Sequence, residues 1–270
     1  MSIHRWFVAV AILFGGVAQL SADLIYTTLD PPGSIDTWGN GVSGNNVVGG
    51  YHDGSTFHGF LYDGSGYTTL DPPGCTESSA SGVSGNNVVG HYYDAGWNAH
   101  GFLYDGSGYT TLDPPGCTES SASGVSGNNV VGDYYDGSTY HGFLYDGSGY
   151  TTLDPSGSID TYALGVSGNN VVGYYYDAGW NAHGFLYDGS TYTTLDPPDS
   201  VYTKANGVSG DNVVGFFVDG SNVHHGFLYD GSTYTTLAPP GSTEAKAMGV
   251  SGNNVVGYYK DGSYVRHGFL

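Results

Sequence analysis

Six histidines head six copies of one phrase. His-Gly-Phe-Leu begins at His58, His100, His141, His183, His225 and His267. Neutral imidazoles in number are what a zinc site draws on, provided three or four reach one ion at about 2.0–2.3 Å. Carboxylates recur five residues before each Gly-Val-Ser-Gly, as Asp36, Glu77, Glu119, Asp160 and Glu244, with Tyr202 in the remaining copy. Paired at roughly 5–9.5 Å, such groups serve as acid and base in glycoside cleavage, and gathered oxygens bind calcium. Three residues before the same phrase stand Trp38, Ser79, Ser121, Tyr162, Lys204 and Lys246. Aromatic faces beside ammonium donors suit sugar rings or small anions.

Which of these chemistries is open depends on where the chain puts the residues, and a repeat decides that. Gly-Val-Ser-Gly begins at Gly41, Gly82, Gly124, Gly165, Gly207 and Gly249, and Tyr-Thr-Thr-Leu at Tyr26, Tyr67, Tyr109, Tyr150, Tyr192 and Tyr234, so the period is 41 or 42 residues. A fixed period of this size signals a repeat architecture. In one copy, Trp38 to Ser43, Asn46 to Tyr51, Phe57 to Tyr62 and Tyr67 to Leu70 read as strands. Ser-Gly-Asn-Asn, Asp-Gly-Ser and Asp-Gly-Ser-Gly are the turns between them. Gly and Asn tolerate the positive φ such turns need, and Asp71-Pro72-Pro73-Gly74 ends the pattern because proline cannot donate to a ladder. Val47 and Val48 point to opposite faces of one strand, so both faces must be covered. The expected fold is therefore all-β, a six-bladed β-propeller with four antiparallel strands per blade. The chain enters on a Tyr-Thr-Thr-Leu strand and leaves on a His-Gly-Phe-Leu strand, so the ring is expected to close by Tyr26–Leu29 joining the last blade as its outermost strand. An open β-solenoid gives no reason for that matched cut.

A ring spreads the six histidines apart, which removes the zinc site and leaves them a hydrogen-bonding role. It spreads the carboxylates into an acidic rim too wide for one calcium ion, and the Asp-Gly turns lack the spacing of a calcium loop. No metal and no cofactor is expected. No nucleophile elbow or phosphate-binding glycine loop is present in the sequence, and the copies are too alike for any carboxylate pair to look specialised. Residues 58–90 and 100–132 are identical, so recurrence across copies says little about function and differences between copies say more.

The blade resembles the bacterial extracellular repeat family named for its His-Ala-Phe triplet. Asn45-Asn46-Val47-Val48-Gly49 and His58-Gly59-Phe60-Leu61 carry the resemblance, which recurs over residues 24–270 with Gly for Ala in all six triplets. It implies an exported bacterial repeat protein and carries over no activity.

Export is also read from the start of the chain. Arg5, the apolar stretch Trp6 to Leu20 and the small pair Ser21-Ala22 have the layout of a secretory leader, which gives a leader over 1–22 and one propeller domain over 23–270. The expected location is secreted, periplasmic or cell-surface. Without Arg5 the net charge is −21, which repels nucleic acid and anionic lipid. Neither nucleic acid nor membrane insertion after leader cleavage is expected, and the chain is read as a monomer. Cys75 and Cys117 hold equivalent places in adjacent copies, beyond the reach of a disulfide, and are read as free thiols.

The variable residues converge on one end of the ring, where the Asp-Pro-Pro-Gly connections and the second-to-third-strand turns lie. The expected ligand-binding residues there are Trp38, Tyr162, Lys204 and Lys246, made consecutive by ring closure, with Trp97 and Trp180 in the turns of the same end. The functional expectation is a non-catalytic binding or scaffold module for carbohydrate or a small anionic molecule. The alternative is a carbohydrate-active enzyme using the rim carboxylates.

Overall fold

The structure, a computed structural model, describes residues 27–270. The expected leader, residues 1–22, lies outside the described residues. The molecule is a six-bladed all-β propeller. Blade one shows the pattern: β1 (Asp36–Ser43), β2 (Asn46–His52), β3 (Phe57–Tyr62) and β4 (Tyr67–Leu70) pair in that order, each antiparallel to the next. Gly44 takes a φ of 60° at the first position of the two-residue turn between β1 and β2, as a type II′ hairpin requires. Asp63 fixes the turn before β4 by accepting from the Ser65 and Gly66 N–H groups at 2.7 and 2.9 Å. One extra residue, Asn40, bulges out of β1 between Gly39 and Gly41. Its amide crosses to the next blade and donates to the Ala80 carbonyl at 2.8 Å.

The doubled valines explain how blades stack. Val48 and Leu70 of blade one share a buried cluster with Ala80, Val88, Tyr92 and Phe102 of blade two. Val89 and Leu112 of blade two do the same with Ala122, Val130, Tyr134 and Phe143 of blade three. The second valine of each pair thus faces the following blade and the first faces the preceding one. Burying each large apolar side chain contributes about 1.5–3 kcal/mol. The glycine after the valines is obligatory. A Cβ on Gly90 would overlap the Ser79 carbonyl oxygen and meet the Phe102 ring at 2.9 Å. Near the axis the inner strands also bond across each joint: the Asn46 amide donates to Gly85 O at 2.8 Å and Gly85 N–H to Ser43 Oγ at 3.3 Å. The same pair of bonds recurs at every joint up to that between blades five and six.

The sixth joint differs from the sequence expectation. The last sheet has three strands, Ser242–Ser251, Asn254–Asp261 and Arg266–Phe269, and Thr27–Asp30 form no strand beside it. The rest of the expected closing segment, through Tyr26, lies outside the described residues. Gly41, Gly82, Gly124, Gly165 and Gly207 each face the inner strand of the following blade, whereas Gly249 faces only Val256 of its own. Val256 is accordingly 47% exposed, where Val89 and its counterparts are fully buried. The lead-in to blade one is nevertheless in place, with Ser34 N–H bonded to Pro31 O and Ile35 N–H to His52 O. A four-residue outer strand offers few ladder bonds, so it forms where the blade it joins is already packed; the last blade lacks that support.

Candidate ligand-binding face

The six histidines are structural bonding groups, four of them between two carboxylates and His225 and His267 each beside one. In blade one, His58 Nδ1 lies 2.8 Å from Asp71 Oδ2 and its Nε2 lies 3.4 Å from Asp53 Oδ2. His100, His141 and His183 repeat the arrangement. Burial opposes protonation of His141, but Asp154 and Asp136 outweigh it and raise the pKa; the same holds for His183 between Asp196 and Asp177. His225 keeps one carboxylate, Asp219, because Ala238 replaces the second. The Asp71 carboxylate also accepts from the Ser78 hydroxyl of the next blade at 2.7 Å, and Ser78 in turn accepts from Gly59 N–H. Ser120 repeats this bond with Asp113, whereas the equivalent Thr37, Thr161 and Thr203 hydroxyls are buried without a hydrogen-bond partner among the described residues. Among the described residues, no group of three His, Cys, Asp or Glu gathers to hold a metal ion. Cys75 and Cys117 are free and half-buried, and burial, then Asp71 or Asp113, raises their thiol pKa.

The expected site residues occupy one column of the inner strands, and their register partners form a second column. Trp38 pairs with Gly50, Ser79 with His91, Ser121 with Asp133, Tyr162 with Tyr174, Lys204 with Phe216 and Lys246 with Tyr258. In blades four to six both columns are bulky, and the side chains stack. Tyr162 lies between Tyr140 and Tyr174, with ring centroids at 5.3 and 4.8 Å. The Lys204 ammonium sits 3.7 Å over Tyr174, and the Lys246 ammonium sits 3.9 Å over Phe216. Burial, then Asp160 and Asp133, pushes the Tyr162 phenol well up. Burial, then Lys246, lowers the pKa of Lys204.

In blades one and two, Gly50, Ser79 and His91 leave room beside Trp38, and a cleft opens. Its volume is about 230 Å³, and Trp38, Phe57, Glu77, Ser79, His91 and Tyr93 line it together with Ser78. The Trp38 ring lies flat in the space that a side chain on Gly50 would take, and Phe57 meets it edge-on at 5.8 Å. Desolvation lowers the His91 pKa, so the imidazole is neutral near pH 7 and offers one donor and one acceptor. In blade three, burial pushes the Asp133 carboxyl up to about 7.

Trp38 is therefore apart from Tyr162, Lys204 and Lys246. Their adjacency required the sixth joint, which the described residues do not form. Trp97 and Trp180 stand at turn tips of the same end, 62% and 66% exposed, at φ values of 62° and 61°. Each leans on a tyrosine of its own blade, Tyr93 or Tyr176. Sequence reasoning missed Tyr264, which holds the same turn position in blade six and is 77% exposed. It also missed the column after Val-Val-Gly, whose five residue types in six copies were the available signal. The rim carboxylates have separate tasks: Asp160 accepts from Tyr140 N–H at 2.9 Å, Glu244 pairs with Lys260 at 2.8 Å, and Glu77 faces the cleft.

No family model matches the chain, and no curated protein matches its sequence. Solved structures share its fold. A lectin from Burkholderia pseudomallei is similar at a TM-score of 0.53 and 11% identity, over 89% of this chain and 83% of that one. An acylaminoacyl peptidase from Pyrococcus horikoshii is similar at a TM-score of 0.54 and 10% identity, over 80% of this chain and 40% of that one. The Aleuria aurantia lectin, a six-bladed β-propeller with its own mode of fucose recognition, is similar at a TM-score of 0.47 and 13% identity, over 85% and 88%. At these identities the likeness is one of fold.

Proposed function

We propose that this protein is an exported, non-catalytic module that binds carbohydrate on the end of the propeller where the second-to-third-strand turns lie. The cleft between blades one and two carries the reading. It offers the apolar faces of Trp38 and Phe57 beside the Glu77 carboxylate, the Ser79 hydroxyl and a neutral His91. An aromatic face with convergent donors and acceptors is what a sugar ring requires. The cleft is below the about 300–1,000 Å³ of a drug-sized pocket, which fits one ring at the end of a chain. Trp97 and Trp180 supply further aromatic surface on the same end. The propeller is also the fold of the Burkholderia lectin, so the scaffold is one that serves such binding. A catalytic reading has less support, because Asp160 and Glu244 are committed to structural partners. The test is a glycan array probed with the mature chain, followed by a cleavage assay on every glycan bound. Binding without turnover is expected; turnover that disappears in Glu77→Gln would replace this reading with the enzymatic one.

A further inference from the structure

The positive charge of this acidic chain is concentrated in one place. Of its five Lys and Arg residues, Arg5 lies outside the described residues, and the other four are Lys204, Lys246, Lys260 and Arg266. Lys204 is on the inner strand of blade five, and the remaining three are on adjacent strands of blade six. Three of them lie on the aromatic residue that follows Val-Val-Gly: Lys204 over Tyr174, Lys246 over Phe216, and the Arg266 guanidinium 5.0 Å from the centre of Tyr258. Lys260 pairs with Glu244. Lys204 and Lys246 have no carboxylate within 4 Å among the described residues, in a chain with 25 acidic side chains available.

That arrangement costs the folded protein something. Like charges are held together in a partly desolvated rim, and the pKa of each lysine falls in consequence. For Lys246 burial is the main cause; Glu244 opposes the fall while Arg266 and Lys260 add to it. A ring face meets one side of an ammonium, and the remaining N–H donors still need acceptors. If the lysines served only to neutralise the acidic rim, they would sit on its carboxylates. An anion brought by a ligand would complete the site.

Resting on the carbohydrate reading above, we propose that the rim of blades five and six receives the acidic group of a carboxylate- or sulfate-bearing saccharide, with Lys204 and Lys246 as its donors and Tyr174 and Phe216 as the flanking surface. The preferred ligands are then acidic saccharides, and binding weakens with salt.

The test titrates the full mature chain by calorimetry with a glucuronate-containing oligosaccharide, its sulfated counterpart, a neutral oligosaccharide of the same length and inorganic sulfate, at low and at physiological salt. The expected result is that an acidic saccharide binds roughly tenfold or more tightly than the neutral one. Lys204→Gln/Lys246→Gln should remove that advantage, Lys204→Arg/Lys246→Arg should keep most of it, and melting curves should confirm that both variants fold. Whether the uronate or the sulfate ester gains more identifies the acidic group. Equal affinity for neutral and acidic saccharides, unchanged in the Gln variant, would overturn this proposal and leave the carbohydrate reading intact. Inorganic sulfate binding as tightly as the acidic saccharides would reduce the rim to an anion site and overturn the saccharide part. No binding to any saccharide would overturn both readings.

Discussion

The joint between blades one and two and the joints among blades four to six share one backbone plan, with the same register, the same bulge and the same glycine after the doubled valine. One holds a cleft and the others are filled. At the first joint the two rim columns read Trp38 and Gly50, then Ser79 and His91; further round they read Tyr162 and Tyr174, Lys204 and Phe216, Lys246 and Tyr258. The backbone fixes where these side chains stand, and their volume decides whether a joint opens a cleft or fills with stacked side chains. A repeat that copies its core can therefore vary its surface one joint at a time, and the two halves of this rim have taken opposite courses.

The comparison breaks first if the shared plan is not what supports both halves. Gly90→Ala and Gly173→Ala each drive a methyl into a carbonyl oxygen of the inner strand, Ser79 O or Tyr162 O. Each should cost about 3 kcal/mol or more, and chemical denaturation should give similar losses for the two. A large difference would mean that the halves have different scaffolds. Next comes Tyr174→Ala, which removes the ring that Tyr162 and Lys204 both use. It should destabilise by about 2 kcal/mol, below the fully buried aromatic range because the site is half-exposed. Ser79→Tyr makes the opposite change and places at the first joint the side chain that fills the third. It should leave stability within about 1 kcal/mol and abolish binding of any glycan that the array identifies. Retained affinity would move the site away from the cleft.

A pH-dependent effect marks the boundary between the halves. Asp133 has a folded pKa of about 7, raised from 3.8 by burial, with Glu119, Asp160, Tyr140, Tyr162 and Tyr174 around it. An acid whose pKa is raised on folding contributes stability that is fully present below the unfolded value and lost as pH rises through the folded one. The loss falls between about pH 4 and pH 7 and reaches about 4 kcal/mol. Asp133→Asn should thus raise the melting midpoint at pH 8 and leave it nearly unchanged at pH 4. A gain at pH 4 as large as that at pH 8 would show that Asp133 titrates normally. The smallest effect is expected from Glu244→Gln, which breaks the partly exposed pair with Lys260 and should cost about 1 kcal/mol or less.

Much of this molecule was legible before its structure. The period gave the blades, the doubled valines gave their covered faces, and the turn residues gave strand order. Differences between copies pointed to the column of Trp38, Tyr162, Lys204 and Lys246. Closure by Tyr26–Leu29 was inferred from sequence order, which cannot say whether the last blade meets the first closely enough for a four-residue strand to form. The second rim column was missed because residues after Val-Val-Gly look like ordinary strand positions until register shows His91 opposite Ser79 and Tyr174 opposite Tyr162. Stacking of Lys204 and Lys246 on rings of the preceding blade lay beyond reach for a similar reason, since side-chain direction across a joint depends on how the blades are set.

The account rests on the first joint as the sugar site, and the indole groups report on it directly. The described residues hold three tryptophans, Trp38 in the cleft and Trp97 and Trp180 at exposed tips, and their indole N–H groups should give three separate signals. The measurement is a nuclear magnetic resonance titration with a glycan selected by the array, each signal assigned by substituting one tryptophan at a time with phenylalanine. The account predicts that the Trp38 signal moves furthest and saturates with the binding curve. A response confined to Trp97 and Trp180, with Trp38 unmoved at saturation, would contradict it.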